Sequence, residues 1–301
     1  MTLPNFIIFG VQKSGTTSVY KYLSQHPQVY VSPTKETNFL CTDWERNPLT
    51  VVNKNSDRSE RKKIRTFEDY TALFDGVTDE IAIGEASPNY LFHYETSVPQ
   101  IKKYVPDVKL IAILRNPVDR AYSDYLMMVR EGRETKAISE QLAGETISSF
   151  TIKKGLYFEA LQHFYANFDS ARIKIFLFDE LRQDSTKLMQ ELYEFLNVDS
   201  TFVPDTERVF QKAQVPKNQA LNKLLQTPNP LRSSFAGLLQ GVLPVKTRQN
   251  LRKSLVNLNM GSKSKPKLSD SDRSQLFEIY RHDILKLQDL IQRDLSVWLN
   301  E

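Results

Sequence analysis

The sequence predicts an α/β fold of three layers, P-loop-like, with a central, mostly parallel sheet flanked by helices. Three observations carry that expectation. Short apolar runs alternate with helical stretches, the pattern of parallel strands covered on both faces. The first run breaks at Gly10 into a turn rich in Gly, Ser and Thr that opens a helix. The fourth ends in Arg115 ahead of Pro117, a residue suited to the first turn of a helix.

Strands are expected at Asn5 to Gly10, Val29 to Val31, Ile81 to Glu85, Lys109 to Arg115 and Arg172 to Phe178. Helices are expected between and after them, at Thr16 to Gln25, Ser97 to Tyr104, Val118 to Arg130, Phe158 to Phe168 and Thr186 to Leu196. In the last of these Leu188, Leu192, Phe195 and Leu196 recur at helical spacing and mark a buried face. Ser269 and Asp272 form a capping box for a final helix at about 270–299, and Leu276, Tyr280, Ile284 and Leu287 lie on its apolar stripe. Arg46 to Arg65 is polar and aperiodic, a surface excursion. Thr227 to Lys267 carries Pro228, Pro230, Pro244 and Pro266 and reads as a lid inserted into a single domain spanning 1–301.

The chain has 301 residues, 40% hydrophobic and 25% charged, enough to bury one large core with an appendage. No apolar run is long enough to span a bilayer, and Met1 leads straight into strand sequence, so no signal peptide and a cytoplasmic location are expected. The single cysteine, Cys41, rules out an internal disulfide framework and a cysteine-rich metal site. Net charge is +4, but Arg208 to Ser269 holds twelve Lys/Arg and no Asp/Glu, leaving −8 for the rest. Such a segment suits an anionic partner: a phosphorylated cofactor, an acidic acceptor or a lipid surface. Leu238, Leu239, Val242 and Leu243 precede Lys246, Arg248, Arg252 and Lys253, so 231–255 offers either a lid helix or a peripheral membrane contact. Nucleic acid is not expected, because the basic segment lacks interleaved aromatics. Oligomeric state stays open.

From Gly10 the spacing G-x-x-x-x-G runs to Gly15, and Thr17 supplies the last hydroxyl of a nucleotide-triphosphate loop. The lysine such a loop needs at position 16 is Thr16, and a lysine stands three residues earlier, as Lys13. Backbone N–H groups of Ser14, Gly15, Thr16, Thr17 and Ser18 remain a cradle for an anion, since the start of a helix leaves its donors unpaired. Arg115 brings a guanidinium to the carboxyl edge of the sheet, where open α/β folds bind ligands, and Ser123 offers a hydroxyl to the same anion.

On these blocks the chain resembles the sulfotransferase family that uses 3′-phosphoadenosine 5′-phosphosulfate, in particular carbohydrate-type and bacterial members, over roughly Asn5 to Asn218. The resemblance implies that Gly10 to Ser18 holds the 5′-phosphosulfate and that Arg115 and Ser123 hold the 3′-phosphate. It also implies that Tyr157, in the G-x-Y segment after Lys154, lies near the nucleotide, and that Lys212 and Lys217 belong to a loop closing over it. The product would be adenosine 3′,5′-bisphosphate. Lys13 then acquires a chemical purpose: sulfuryl transfer builds negative charge on the departing bridging oxygen, which a cation there stabilises without a metal.

The resemblance also implies a base shortly after the second strand, in the Thr34 to Phe39 block, making Glu36 the base with Lys35 beside it. His93 is the competing base. Gly84 to Tyr90 is similar to a block lining the acceptor pocket, but Ala86 stands where some members carry a lysine. The acceptor would be a small molecule, a sugar or a lipid-linked group. Two other readings compete: a P-loop kinase with Asp179 on Mg²⁺, against which the place of Lys13 argues, and a non-catalytic anion- or membrane-binding module. Asp179 and Glu180 are otherwise read as a structural strand edge, and His26, His163 and His282 as structural or surface residues.

Overall fold

The computed structural model describes residues 2–42, 64–134, 136–142, 149–206 and 267–299, with isolated positions 218, 247 and 254. Five strands, β1 (Phe6–Gly10), β2 (Val29–Val31), β3 (Ala82–Ala86), β4 (Lys109–Leu114) and β5 (Ile173–Leu177), form one parallel sheet in the order β2-β3-β1-β4-β5. Each lies within a residue of its expected bounds. The strands are apolar on both sides because both faces are covered. Ile7, Phe9, Leu110 and Ala112 enter one core, while Phe6, Ile8, Ile111 and Ile113 enter the other, following the two-residue period of a strand.

Helices in chain order are α1 (Thr16–Leu23), α2 (Phe67–Thr71), α3 (Asn89–Phe92), α4 (Tyr94–Tyr104), α5 (Pro117–Arg130), α6 (Ile138–Leu142), α7 (Phe150–Lys153), α8 (Phe158–Asn167), α9 (Phe178–Gln183), α10 (Ser185–Leu196) and α11 (Asp270–Ile291). Val98 and Ile101 of α4, Leu161 of α8 and Tyr280 of α11 pack into the first core. Val19 of α1 and Leu188, Met189 and Leu192 of α10 pack into the second. Local chemistry starts α5: the Asn116 side chain accepts from the N–H groups of Val118 at 3.0 Å and Asp119 at 3.4 Å, and Pro117 occupies a position that needs no donor.

Three boundaries differ from the sequence reading. The final helix stops at Ile291, since Gln292 turns left-handed (φ 52) and Asp294 accepts the Ser296 N–H at 2.8 Å to begin a separate 3₁₀ turn. That break returns Leu295 and Trp298 to the core, where both are buried. Its cap also differs: Ser269 accepts the Asp272 N–H at 3.1 Å, but its hydroxyl returns to the Asp272 carboxylate at 2.6 Å. Asp179 and Glu180 are the first turn of α9 and not a strand edge; Glu180 accepts the Leu177 N–H at 2.8 Å and pairs with Arg293. Finally, α4 begins at Tyr94, because the N–H groups of Thr96 and Ser97 both reach the His93 carbonyl. Most of the Arg46 to Arg65 excursion and almost all of the lid and membrane segment lie outside the described residues.

The chain leaves β1 to lay β2 and β3 on one side, then passes back to lay β4 and β5 on the other. The carboxyl ends of β1 and β4 therefore flank a topological switch point, the crevice where such sheets bind ligands. Both sequence-marked anchors emerge there.

Candidate active site

The loop after β1 folds as a turn in which Lys13 (φ 73) and Gly15 (φ 83) are left-handed with Ser14 between them. A left-handed lysine costs about 1–2 kcal/mol, so something must hold it. Arg115 does so: its Nη1 donates to the Lys13 carbonyl at 2.9 Å, joining the two anchors across the switch point. Its guanidinium also lies 4.6 Å from the centre of the Phe178 ring. Tyr157 completes the brace, its buried hydroxyl donating to the Arg115 carbonyl at 2.9 Å. Burial pushes the Tyr157 hydroxyl pKa up and the Arg115 guanidinium pKa down.

Gly15 is required twice over. Its φ suits glycine, and a Cβ there would sit 2.4 Å from Leu181 Cδ2. Gly15→Ala is expected to lower unfolding free energy by about 2–3 kcal/mol, read as a drop in urea midpoint at constant slope. A midpoint equal to the parent's would show that the turn relaxes freely.

Polar groups in this loop are left for a ligand. Ser18 and Val19 return their N–H groups to the Gly15 carbonyl, but no described residue accepts from Thr16 or Thr17. The Ser14 hydroxyl is fully buried without a hydrogen-bond partner among the described residues. A phosphate or phosphosulfate seated on the turn would satisfy the N–H groups of Thr16 and Thr17, so the residues present fit the phosphorylated end of the donor nucleotide. The Lys13 ammonium rests 3.5 Å from the Met127 thioether, a weak acceptor, and burial lowers its pKa. Ser123 is buried further along α5. Lys212 and Lys217 lie outside the described residues.

Arg115→Ala would remove both the anion contact and the tether on Lys13. Affinity for adenosine 3′,5′-bisphosphate, measured by calorimetry, is expected to fall about 30-fold or more. An unchanged affinity would remove Arg115 from the nucleotide site.

Glu36 follows β2 on a turn of its own. It is left-handed (φ 60), its N–H bonds the Ala86 carbonyl at 2.8 Å, and its carboxylate pairs with Lys35 at 3.0 Å. His93 sits between α3 and α4, its pKa lowered by burial and secondarily by the Lys154 charge. Between the loop and α3 lies a small pocket whose lining includes Gln12, Asn89, Phe92, Lys154, Leu156 and Tyr157.

Lys154 joins the site without a sequence signal of its own. Its Nζ donates to Gln12 Oε1 at 2.8 Å, directly before Lys13, and burial lowers its pKa. Gly155, the next residue, leaves no room for a side chain, since a Cβ there would meet the Tyr280 ring at 2.8 Å. The block Gly84 to Tyr90 only partly faces the pocket. Pro88 and Asn89 line it, whereas Glu85 is wholly buried among hydroxyls. Cys41 is a poor nucleophile, its thiol pushed up to about 12 by burial.

Residues 4–202 match the family model described as "Sulfotransferase family". Human carbohydrate sulfotransferase 15 is 26% identical over 278 residues, an alignment covering 73% of this chain and 47% of that protein. The mouse bifunctional heparan sulfate N-deacetylase/N-sulfotransferase 4 is 27% identical over 208 residues, covering 65% of this chain and 22% of that one. The chain thus spans less than half the length of these curated relatives. Among solved structures, a sulfotransferase from Alicyclobacillus acidocaldarius superposes with a TM-score of 0.72 at 29% identity, covering 100% of both chains. The matched segment contains all five strands and both loops that meet at the switch point, and the chain belongs to the sulfotransferase family.

Proposed function

We propose that this protein transfers the sulfuryl group of 3′-phosphoadenosine 5′-phosphosulfate to a hydroxyl or amine of a carbohydrate or glycoconjugate acceptor. The observation that carries the donor half is the contact between Arg115 and the Lys13 carbonyl, which joins a strand-end guanidinium to the turn that carries the displaced lysine. When bound, the donor supplies an activated sulfuryl group on a phosphate leaving group. The loop N–H groups would hold its 5′ end, and Arg115 with Ser123 would hold its 3′-phosphate. Lys13 would meet the bridging oxygen, where negative charge grows as the bond to sulfur breaks. Glu36 takes the acceptor proton, oriented by Lys35. A sugar acceptor is favoured by the carbohydrate and heparan sulfate relatives named above.

The donor assignment has a direct test. Adenosine 3′,5′-bisphosphate at a hundred times its dissociation constant is expected to stabilise the protein by about 2.7 kcal/mol, raising its melting temperature, while ATP with Mg²⁺ has little effect. Equal or stronger stabilisation by ATP would favour the kinase reading. Labelled-sulfate transfer into a panel of sugars, lipids and phenols, read by mass spectrometry, then identifies the acceptor.

A further inference from the structure

The most heavily hydrogen-bonded carboxylate near the site, among the described residues, does not line the pocket beside the loop. Glu85, at the end of β3, is wholly buried and accepts four hydroxyl protons. Thr37 and Ser87 each donate to its Oε2 at 2.7 Å, and Tyr90 at 2.7 Å and Tyr70 at 3.0 Å donate to its Oε1. Thr37 Oγ1 also lies 3.0 Å from the Tyr90 hydroxyl and 3.3 Å from Ser87 Oγ. With the single proton of each hydroxyl turned to the carboxylate, its oxygen is left as an acceptor on the other side. Three of those oxygens are then used in sequence: Ser87 Oγ accepts the Asn38 N–H at 3.1 Å, Thr37 Oγ1 the Phe39 N–H at 3.4 Å, and the Tyr90 hydroxyl the Leu40 N–H at 3.2 Å. These are the consecutive N–H groups that follow Glu36 and Thr37. The N–H of Glu36 is itself tied to Ala86, next to Glu85.

We infer that Glu85 is a positioning residue for Glu36: by fixing the proton direction of Thr37, Ser87 and Tyr90, it turns their oxygens into a row of acceptors that holds the segment from Glu36 to Leu40 in place. The strained left-handed turns at Glu36 (φ 60) and Asn38 (φ 52) are what that row holds. A buried carboxylate needs several donors, and here the donors are the same hydroxyls that grip the loop, so neither half of the network is dispensable. The inference rests on Glu36 being the base, but its structural half stands without turnover.

Glu85→Gln is the informative change, because an amide nitrogen in place of one oxygen presents protons to two of the hydroxyls. Those hydroxyls must then turn, and a proton comes to face a backbone N–H. Thr37→Val removes one link and Thr37→Ser restores it. Hydrogen exchange of the peptide spanning residues 36–41 is expected to quicken about tenfold in Glu85→Gln and Thr37→Val, with peptides of α5 unchanged. Turnover is expected to fall about 10- to 100-fold in both, with affinity for adenosine 3′,5′-bisphosphate held within about twofold, since the donor loop is untouched. Thr37→Ser should recover both readouts. Parent-like exchange in Thr37→Val, or a loss of nucleotide affinity as large as the loss of turnover, would overturn the inference. If Glu85→Gln does not fold, the Thr37 pair decides. If the parent transfers no sulfuryl group to any acceptor, the functional reading fails, and the exchange measurement still judges the network.

Discussion

Lys13→Met is expected to leave a folded protein that turns over about 10²- to 10³-fold more slowly, the usual size of losing one charged stabiliser of a developing oxyanion. Stability should not fall with it. The tether to Arg115 runs through the Lys13 carbonyl, which methionine keeps, and the ammonium's hydrogen-bond partner is a thioether, with Asp124 and Glu131 acting on it only through their charge. Burial lowers the Lys13 pKa in the folded state, so folding is penalised by that charge. The penalty is full at every pH below the folded-state value, shrinks as pH rises from there, and vanishes above the unfolded value. At neutral pH the methionine variant escapes it and should melt no lower than the parent. Single-turnover rates and thermal unfolding at pH 7 test the pair of expectations, and a variant that keeps its rate would remove Lys13 from the leaving-group side.

Glu36→Gln should cost a comparable factor, about 10²- to 10⁴-fold in turnover, by removing the proton acceptor while preserving shape. Affinity for adenosine 3′,5′-bisphosphate should stay within about twofold, because the donor is held by the loops after β1 and β4. His93→Asn, the competing base, should lose less than about tenfold. The comparison is decisive in either direction: a larger loss at His93 reassigns the base, and equal small losses point to a base on a segment the described residues do not include.

The phosphate loop was legible because its chemistry is contiguous: strand, turn and helix follow within Phe6 to Leu23, and the misplaced lysine is visible by counting. Arg115 was legible for a related reason, being the first residue beyond a strand that is apolar from Leu110 to Leu114. Lys154 was not legible in this way, since its partner Gln12 is 142 positions away and no local pattern links them. Glu85 was hidden more deeply. Its donors come from positions 37, 70, 87 and 90, and only packing of β3 against the segment after β2 and against α2 makes them one cluster. A glutamate ending an apolar strand reads like a site residue, whereas the fold spends it inward. The early end of α11 escaped notice because Leu290 and Ile291 continue the apolar stripe up to the left-handed turn.

That last helix has a bearing on how the protein can be dissected. Asp283 accepts the N–H groups of Tyr157 at 2.8 Å and Phe158 at 3.1 Å, and Tyr280 reaches the Ile152 carbonyl at 2.8 Å. These contacts buttress the stretch that carries Lys154 and Tyr157, yet they come from beyond residue 202, where the family match stops. A protease cut between residues 202 and 270 is survivable if both fragments stay associated, whereas excising the terminal helix strips the nucleotide side of its backing. Two pieces of chain far apart in number thus share one core.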